Sequence, residues 1–309
     1  MVTTTSKKRL QIAVLLAIVM VFESCSQDNP KQDQNSPPSA EASANASIRL
    51  LYGENVYTVY GQRSGDALLV EGDMLFPLPA NTDTGMEAAA DTGVTAEKEV
   101  QTFDGVVTAN VWDTSGSMIV VPYTLNANVD TTKEIGKRIM DGMRWWRRRI
   151  PVQFRPSTSS DVDYAEFIVN QTESSSFVGC IRRGKQLIKL ENNRPTGTVA
   201  HEIGHLLGLY HEQNRGDRSG YVTIAENCLK NNNYSLAFDK DRTAKDREPY
   251  NYYSIMHYPL NDCITINQAG VPVGTTLPKG VPGQRDSIAV SDVEAILYAY
   301  RLGQYQHIP

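Results

Sequence analysis

Cysteine and histidine are scarce in this chain. Among 309 residues there are 4 Cys and 5 His. If Cys25 is set aside for reasons given below, three cysteines are left, so at most one intramolecular disulfide can form. Cys228 with Cys263 is the preferred pair, because both follow the His-rich stretch described next; three free buried thiols remain the alternative. A basic excess is also lacking. The 35 Asp and Glu outnumber the 30 Lys and Arg and leave a net charge of −5, which argues against nucleic acid as a partner. No apolar run is long enough for a comfortable membrane span. Leu10 to Phe22 is a run of 13 residues, and a span needs about 20. Hydrophobic content of 40% is nevertheless sufficient for a globular core.

What histidine there is lies concentrated. Three of the five fall in His201 to Glu212, HEIGHLLGLYHE. His201 and His205, four residues apart, share one face of a helix and can reach one ion. Glu202 is one step round and can face a water on that ion. Gly208 can end the helix in a left-handed conformation, so that His211 approaches from another direction. Three imidazoles with one position left open make a catalytic rather than a structural zinc site, with one Zn(2+) per chain. The bland alternative is an amphipathic core helix with incidental His.

The first 25 residues are set apart. Lys7, Lys8 and Arg9 precede the apolar run, and Glu23-Ser24-Cys25 follows it. This reads as an export signal. It resembles a bacterial lipoprotein signal in which Cys25 becomes the lipidated first residue, although Phe22 and Glu23 depart from the usual pattern. Plain secretion and a retained anchor are the alternatives. The expected location is the bacterial outer membrane or cell surface, with the membrane touched only through the lipid. Residues 26 to 47 hold almost no large apolar residue and read as a disordered tether. Residues 48 to 79 read as short strands and 80 to 102 as a small-residue, acidic linker, so that 48 to 102 is pro-segment and linker and 48 to 79 a separable unit too small for an independent core.

From 103 to 309 the pattern is that of a catalytic domain. Val106, Val107, Trp112 and Ile119 to Val121 predict strands. Asp130 to Arg149 predicts a helix with Ile135, Ile139, Met143 and Trp146 on one face. Its RWWRRR end reads as a surface helix terminus whose charges suit the dipole, rather than a binding patch. Val152 to Phe154, Ala165 to Val169 and Phe177 to Leu190 predict further strands. YVTI leads into a polar helical stretch to about Phe238, and Tyr250 to Tyr258 is a turn region. Asp286 to Leu302 holds a final helix with Ser291 as N-cap and Glu294 completing a capping box.

Several of these blocks, in order, resemble the astacin zinc endopeptidases, a branch of the metzincins. They are SSFVGCIRRGKQLIKL before the His-rich stretch, the stretch itself with HEQNRGDRSGYVTI, the Met-turn SIMHY, and GQRDSIAVSDVEAILYAY. The resemblance runs from about Trp112 to Tyr300 and implies an α+β, zincin-like fold. A twisted, mostly parallel sheet and two long helices would form an N-terminal subdomain, with an irregular C-terminal subdomain below the cleft. It implies that His201, His205 and His211 bind zinc, that Tyr258 is a fifth ligand able to swing away and donate a hydrogen bond, and that Met256 is the apolar base under the metal. Glu212 would pair with the amino terminus of the mature enzyme. The block from Phe177 to Leu190 would be the edge strand that holds a protein or peptide substrate in extended form. The chemistry agrees: zinc acidifies a water and polarises the scissile carbonyl, Glu202 takes the proton, and a phenol steadies the anion.

The resemblance reaches upstream as well. Val70-Glu71-Gly72-Asp73 is similar to the family's Phe-x-Gly-Asp, whose Asp ligates zinc in the latent form; the alternative is that Gly72-Asp73 is only a hairpin turn. The mature terminus would fall between about Lys98 and Val107, released by an activating protease. Lys279 and Arg285 are the family-type candidates for selecting an acidic residue after the cut, Arg285 having a structural reading too. The family's two usual disulfides are missing: Pro151 stands where one Cys is expected, and Cys180 matches no family position. A compact, monomeric bacterial protease is expected. The competing readings are a catalytically silent surface lipoprotein that binds host polymer or peptide, and an amide hydrolase acting on cell wall or glycan.

Overall fold

The structure, a computed structural model, describes residues 45–52, 55–70, 72–78, 111–230, 250–274, 276–278 and 280–302. The signal, Cys25, most of the tether, the linker, the stretch 231–249 and Lys279 lie outside the described residues.

Four strands come first: β1 (Asn45–Tyr52), β2 (Asn55–Ser64), β3 (Ala67–Val70) and β4 (Met74–Pro77). They pair antiparallel in chain order. Asn45 to Ser47, which the sequence reading places in the tether, pair with Gln62 to Tyr60. The catalytic part supplies β5 (Thr114–Ser115), β6 (Met118–Leu125), helix α1 (Glu134–Arg147), β7 (Val152–Pro156), β8 (Tyr164–Asn170), β9 (Ser175–Phe177) and β10 (Lys185–Glu191). Helix α2 (Thr196–Leu206) follows, then β11 (Val222–Ile224), α3 (Glu226–Lys230), β12 (Ile264–Ile266) and α4 (Val290–Ala299).

The large sheet runs β1-β2-β3-β4-β9-β10-β8-β6-β5, with β7 also on β6. Within it β6, β7, β8 and β10 are mutually parallel and β9 is antiparallel to β10. The mostly parallel sheet expected for the catalytic part is thus present, extended by an antiparallel meander. The meander joins through β4, which lies parallel to β9 with Met74 opposite Ser176 and Leu75 opposite Phe177.

One face of the sheet packs on the two helices. Along β10, Gln186, Ile188 and Leu190 are buried in alternation, as a half-covered strand requires. Ile135, Ile139, Met143 and Trp146 of α1 face the same core as Val199, Ala200 and Ile203 of α2. The Trp146 indole donates to the Ala200 carbonyl at 2.8 Å, fixing α2 lengthwise against α1. Trp112 and Tyr300, near the two limits of the catalytic part, are tied to the C-terminal end of α2. Trp112 Nε1 donates to Leu206 O at 2.8 Å, and the Tyr300 hydroxyl donates to Leu207 O at 3.2 Å.

The final helix starts earlier than the sequence suggests. Its N-cap is Ala289, not Ser291, and Asp292 rather than Glu294 reaches back to the cap, accepting from Ala289 N at 2.9 Å. The physical reason lies in burial. Asp292 is needed inside, where it also accepts from Ser254 Oγ (2.6 Å) and Ile255 N (3.0 Å), whereas Ser291 is turned to the Asn251 amide.

Candidate metal centre

Helix α2 carries His201, Glu202 and His205 on its buried side. It stops at Leu206, and Gly208 takes φ +112°, outside the range of an ordinary L-residue. The chain then turns, and His211 comes back against the other two rings. Ring centroids are 4.7 Å apart for His205 with either partner and 5.3 Å for His201 with His211.

Two of the imidazoles are aimed by second hydrogen bonds. His201 Nδ1 donates to Ile255 O at 2.8 Å, and His205 Nδ1 donates to Leu209 O at 2.7 Å. Donation from Nδ1 leaves the lone pair on Nε2. The Nε2 atoms of His205 and His211 are 3.2 Å apart. Two ligand nitrogens on one tetrahedral zinc, each at about 2.0–2.1 Å, are about 3.3 Å apart. Burial lowers the His201 pKa to about 4 and pushes that of His205 down well below the ordinary range, so these rings are neutral near pH 7, as ligands must be.

The fourth direction is filled by Asp73. The residue sits in the β3–β4 turn, where Gly72 adopts φ +86°, so the hairpin reading and the metal reading describe one feature: the turn delivers the carboxylate. Asp73 Oδ2 is 3.3 Å from His201 Nε2, and Oδ1 is 3.2 Å from His211 Nε2 and 3.9 Å from His205 Nε2. Oδ1 is buried with no hydrogen-bond partner. Burial would raise its pKa, but the neighbouring imidazoles, His211 foremost, hold the carboxyl well below the usual range. One carboxylate oxygen and three ring nitrogens, all within 4.8 Å of one another, fit a zinc ion.

Glu202 lies beside this cluster. It is 1% exposed, and its Oε2 has no hydrogen-bond partner. Burial, and then the Asp73 charge, raise its pKa well above normal. Tyr258 is half-buried, its ring 4.4 Å from that of His211. Met256 is buried under α2 and its carbonyl accepts from Glu212 N at 3.3 Å. Glu212 Oε1 accepts from Asn251 N at 2.8 Å with Arg215 at 3.6 Å, and burial lifts its pKa to about 8.

The remaining sequence candidates are placed as follows. Arg285 Nη1 donates to the carbonyls of His257 (3.2 Å) and Gln284 (2.9 Å). Cys228 and Cys263 are joined in a disulfide, and Cys180 is buried and free. Two residues that the sequence did not single out position the Met-turn. Gln213 Oε1 accepts from Tyr258 N at 3.0 Å, and Asp292 binds Ser254 and Ile255. Their only signal is a polar residue amid a buried block.

Residues 107–301 match the family described as Astacin, a peptidase family. The chain is 32% identical over 192 residues to bone morphogenetic protein 1 of Xenopus laevis, covering 59% of this chain and 26% of that protein. It is 34% identical over 168 residues to zinc metalloproteinase nas-36 of Caenorhabditis elegans, covering 53% of this chain and 27% of that one. The chain thus spans about a quarter of the length of these relatives. Among solved structures, high choriolytic enzyme 1, a hatching enzyme zinc-protease from Oryzias latipes (medaka fish), superposes with a TM-score of 0.52 at 25% identity. That match covers 62% of this chain and 95% of that one.

Proposed function

Because the chain belongs to the astacin family of zinc peptidases, its catalytic class is that of a zinc metalloendopeptidase, and we propose that it is exported and held latent by its own Asp73. One observation carries this reading. The Asp73 carboxylate lies on the three Nε2 atoms while the strand that follows it occupies the edge of β9. A peptide substrate needs both places, one for its scissile carbonyl and one for its extended backbone.

His201, His205 and His211 would hold the zinc, which when bound would supply Lewis acidity toward the carbonyl and a more acidic water. Glu202 would hold the proton given up by the attacking water and return it to the leaving amine. The Tyr258 phenol donates to the carbonyl oxygen as negative charge develops there. Glu212 pairs with the new amino terminus once the linker is cut by an activating protease. Arg285 Nη1 donates to two carbonyls; Lys279 and Arg285 both stand as candidates for a preference for an acidic residue after the cut. Export rests on Lys7 to Arg9 and the run after them, with Cys25 as the lipidated residue.

The test compares the intact chain with the same chain nicked between residues 80 and 110, where Lys98 offers trypsin a bond. Each is given a denatured protein, with and without a zinc chelator. Only the nicked form should cut, and chelator should stop it. Glu202→Gln should lower the rate by roughly 100 to 10,000-fold with zinc content unchanged. Equal cutting by the intact chain removes the latency and leaves the protease. A nicked chain that binds zinc and cuts nothing favours a silent binding protein.

A further inference from the structure

Strand β4, which follows Asp73, also sets its side chains at definite places beside β9. Met74 is opposite Ser176, and Ser176 is opposite Ile188. Paired residues on neighbouring strands put their side chains on the same face. Ile188 packs in the core with Val199, Ala200 and Ile203 of α2, so Met74 and, one pleat on, Phe76 point to the helix side of the sheet. Leu75 points the other way, to Ala67 and Phe177.

Phe76 packs there on Val178, and its ring stacks on Tyr210 with centroids 6.0 Å apart and planes 28° apart. Both contact residues are anchored at the metal centre. Tyr210 directly precedes His211. Val178 directly precedes Gly179, whose N–H donates to the carbonyl of His205 at 2.8 Å. An extended peptide that replaces β4 on β9, in either direction, projects alternate side chains to this same face. The one opposite Val178 lands on Tyr210.

We propose that Val178 and Tyr210 form a substrate subsite for a large apolar or aromatic side chain two or three residues from the scissile bond, a site that Phe76 fills in the latent chain. The distance follows from Phe76 standing three residues after Asp73, whose carboxylate marks the metal. The inference rests on the reading that the segment before the linker leaves on activation.

A peptide library cleaved by the full chain, nicked in the linker and freed of the released segment, tests it. Phe, Tyr, Leu or Met should be enriched at a single position two or three residues from the cut, on one side only. For a matched pair of peptides, Phe over Ala at that position should raise kcat/KM by about 10-fold or more. Tyr210→Ser should bring that ratio close to 1, and Tyr210→Phe should keep it. Because the ratio is internal to each variant, a general loss of activity does not imitate the effect. The library profile of the unaltered enzyme also stands without any variant. Cleavage with no such enrichment, or an undiminished ratio in Tyr210→Ser, overturns the subsite and leaves the protease in place. No cleavage of any peptide by the zinc-loaded, nicked chain overturns both.

Discussion

Gly197 and Gly204 mark two close approaches on α2, and they differ in what stands opposite. A Cβ on Gly197 would lie 1.6 Å from the backbone oxygen of Arg285. A Cβ on Gly204 would lie 2.7 Å from Met256 Sδ, the middle of a flexible side chain. Alanine in a helix gains roughly 0.5–1 kcal/mol over glycine, whereas overpacking costs about 1–3 kcal/mol and occasionally more. Backbone cannot give as a thioether can. Gly204→Ala should therefore cost about 1 kcal/mol net, and Gly197→Ala about 3 kcal/mol or more. Urea denaturation of the two variants decides the order, and a greater loss at Gly204 would contradict it. Gly197 sets the approach of the loop whose Arg285 holds the His257 carbonyl, and Gly204 lets Met256 Sδ lie close against α2.

At the scale of elements, an ion pair fixes the turn of the segment between β7 and β8, and Asp163 ties the end of the segment to Arg182. Arg155 at the end of β7 grips Asp161 with Nη1 to Oδ2 at 2.7 Å and Nη2 to Oδ1 at 2.5 Å, and Thr158 N adds a third bond at 2.7 Å. The Arg155 bond first, and the Thr158 bond after it, hold the Asp161 carboxyl well below the ordinary 3.8. Above pH 3.8 the carboxyl is ionised in both folded and unfolded chains and its contribution is complete. As the pH falls through 3.8 the unfolded chain takes up the proton first, so stability is lost toward acid. Asp161→Asn should flatten the fall of Tm below about pH 4; parallel Tm profiles for variant and parent would rule this out. Such elements differ in how far the sequence reveals them. Helix α2 was legible because three constraints coincide locally: the four-residue His spacing, Gly208 as terminator, and His211 beyond it. The edges of α4 were less so, because Ser291 has the right chemistry for a cap while tertiary burial recruits Asp292 to hold Ser254 and Ile255. The docking of β4 on β9 was not legible from local pattern at all. It is made by backbone bonds such as Ser176 N to Asp73 O at 2.8 Å, which any side chain permits. Only the similarity of Val70 to Asp73 to a family motif pointed toward that end of the cleft.

For the whole molecule, the decisive feature is that one sheet serves a central core and, apart from it, small clusters around β4. Among the described residues, the central core is drawn entirely from Trp112 to Tyr300. The segment before the linker contributes instead to small clusters: Leu68, Val70, Met74, Phe76 and Leu78 around Val178 and Tyr210, and Ala67 and Leu75 around Phe177. Polar ties across the junction include Arg183 Nη1 to Leu78 O at 2.6 Å and Lys189 Nζ to Ser64 Oγ at 3.4 Å. A segment held this way can leave without dismantling the catalytic core, while Asp73 adds a charged contact that counts only in its presence. A hydrogen bond to a charged group is worth about 1.5–3 kcal/mol. Removing it should move the balance between covered and open cleft by roughly 10 to 150-fold. Asp73→Ala in the uncut chain should therefore show a slow but measurable cleavage of a small peptide, with β4 still competing for the edge of β9. Nicking the variant should raise the rate further, to the level of the nicked parent. If uncut Asp73→Ala is as silent as the parent while its zinc content is unchanged, strand pairing alone maintains latency, and Asp73 is no more than the turn residue that lets β3 reverse into β4.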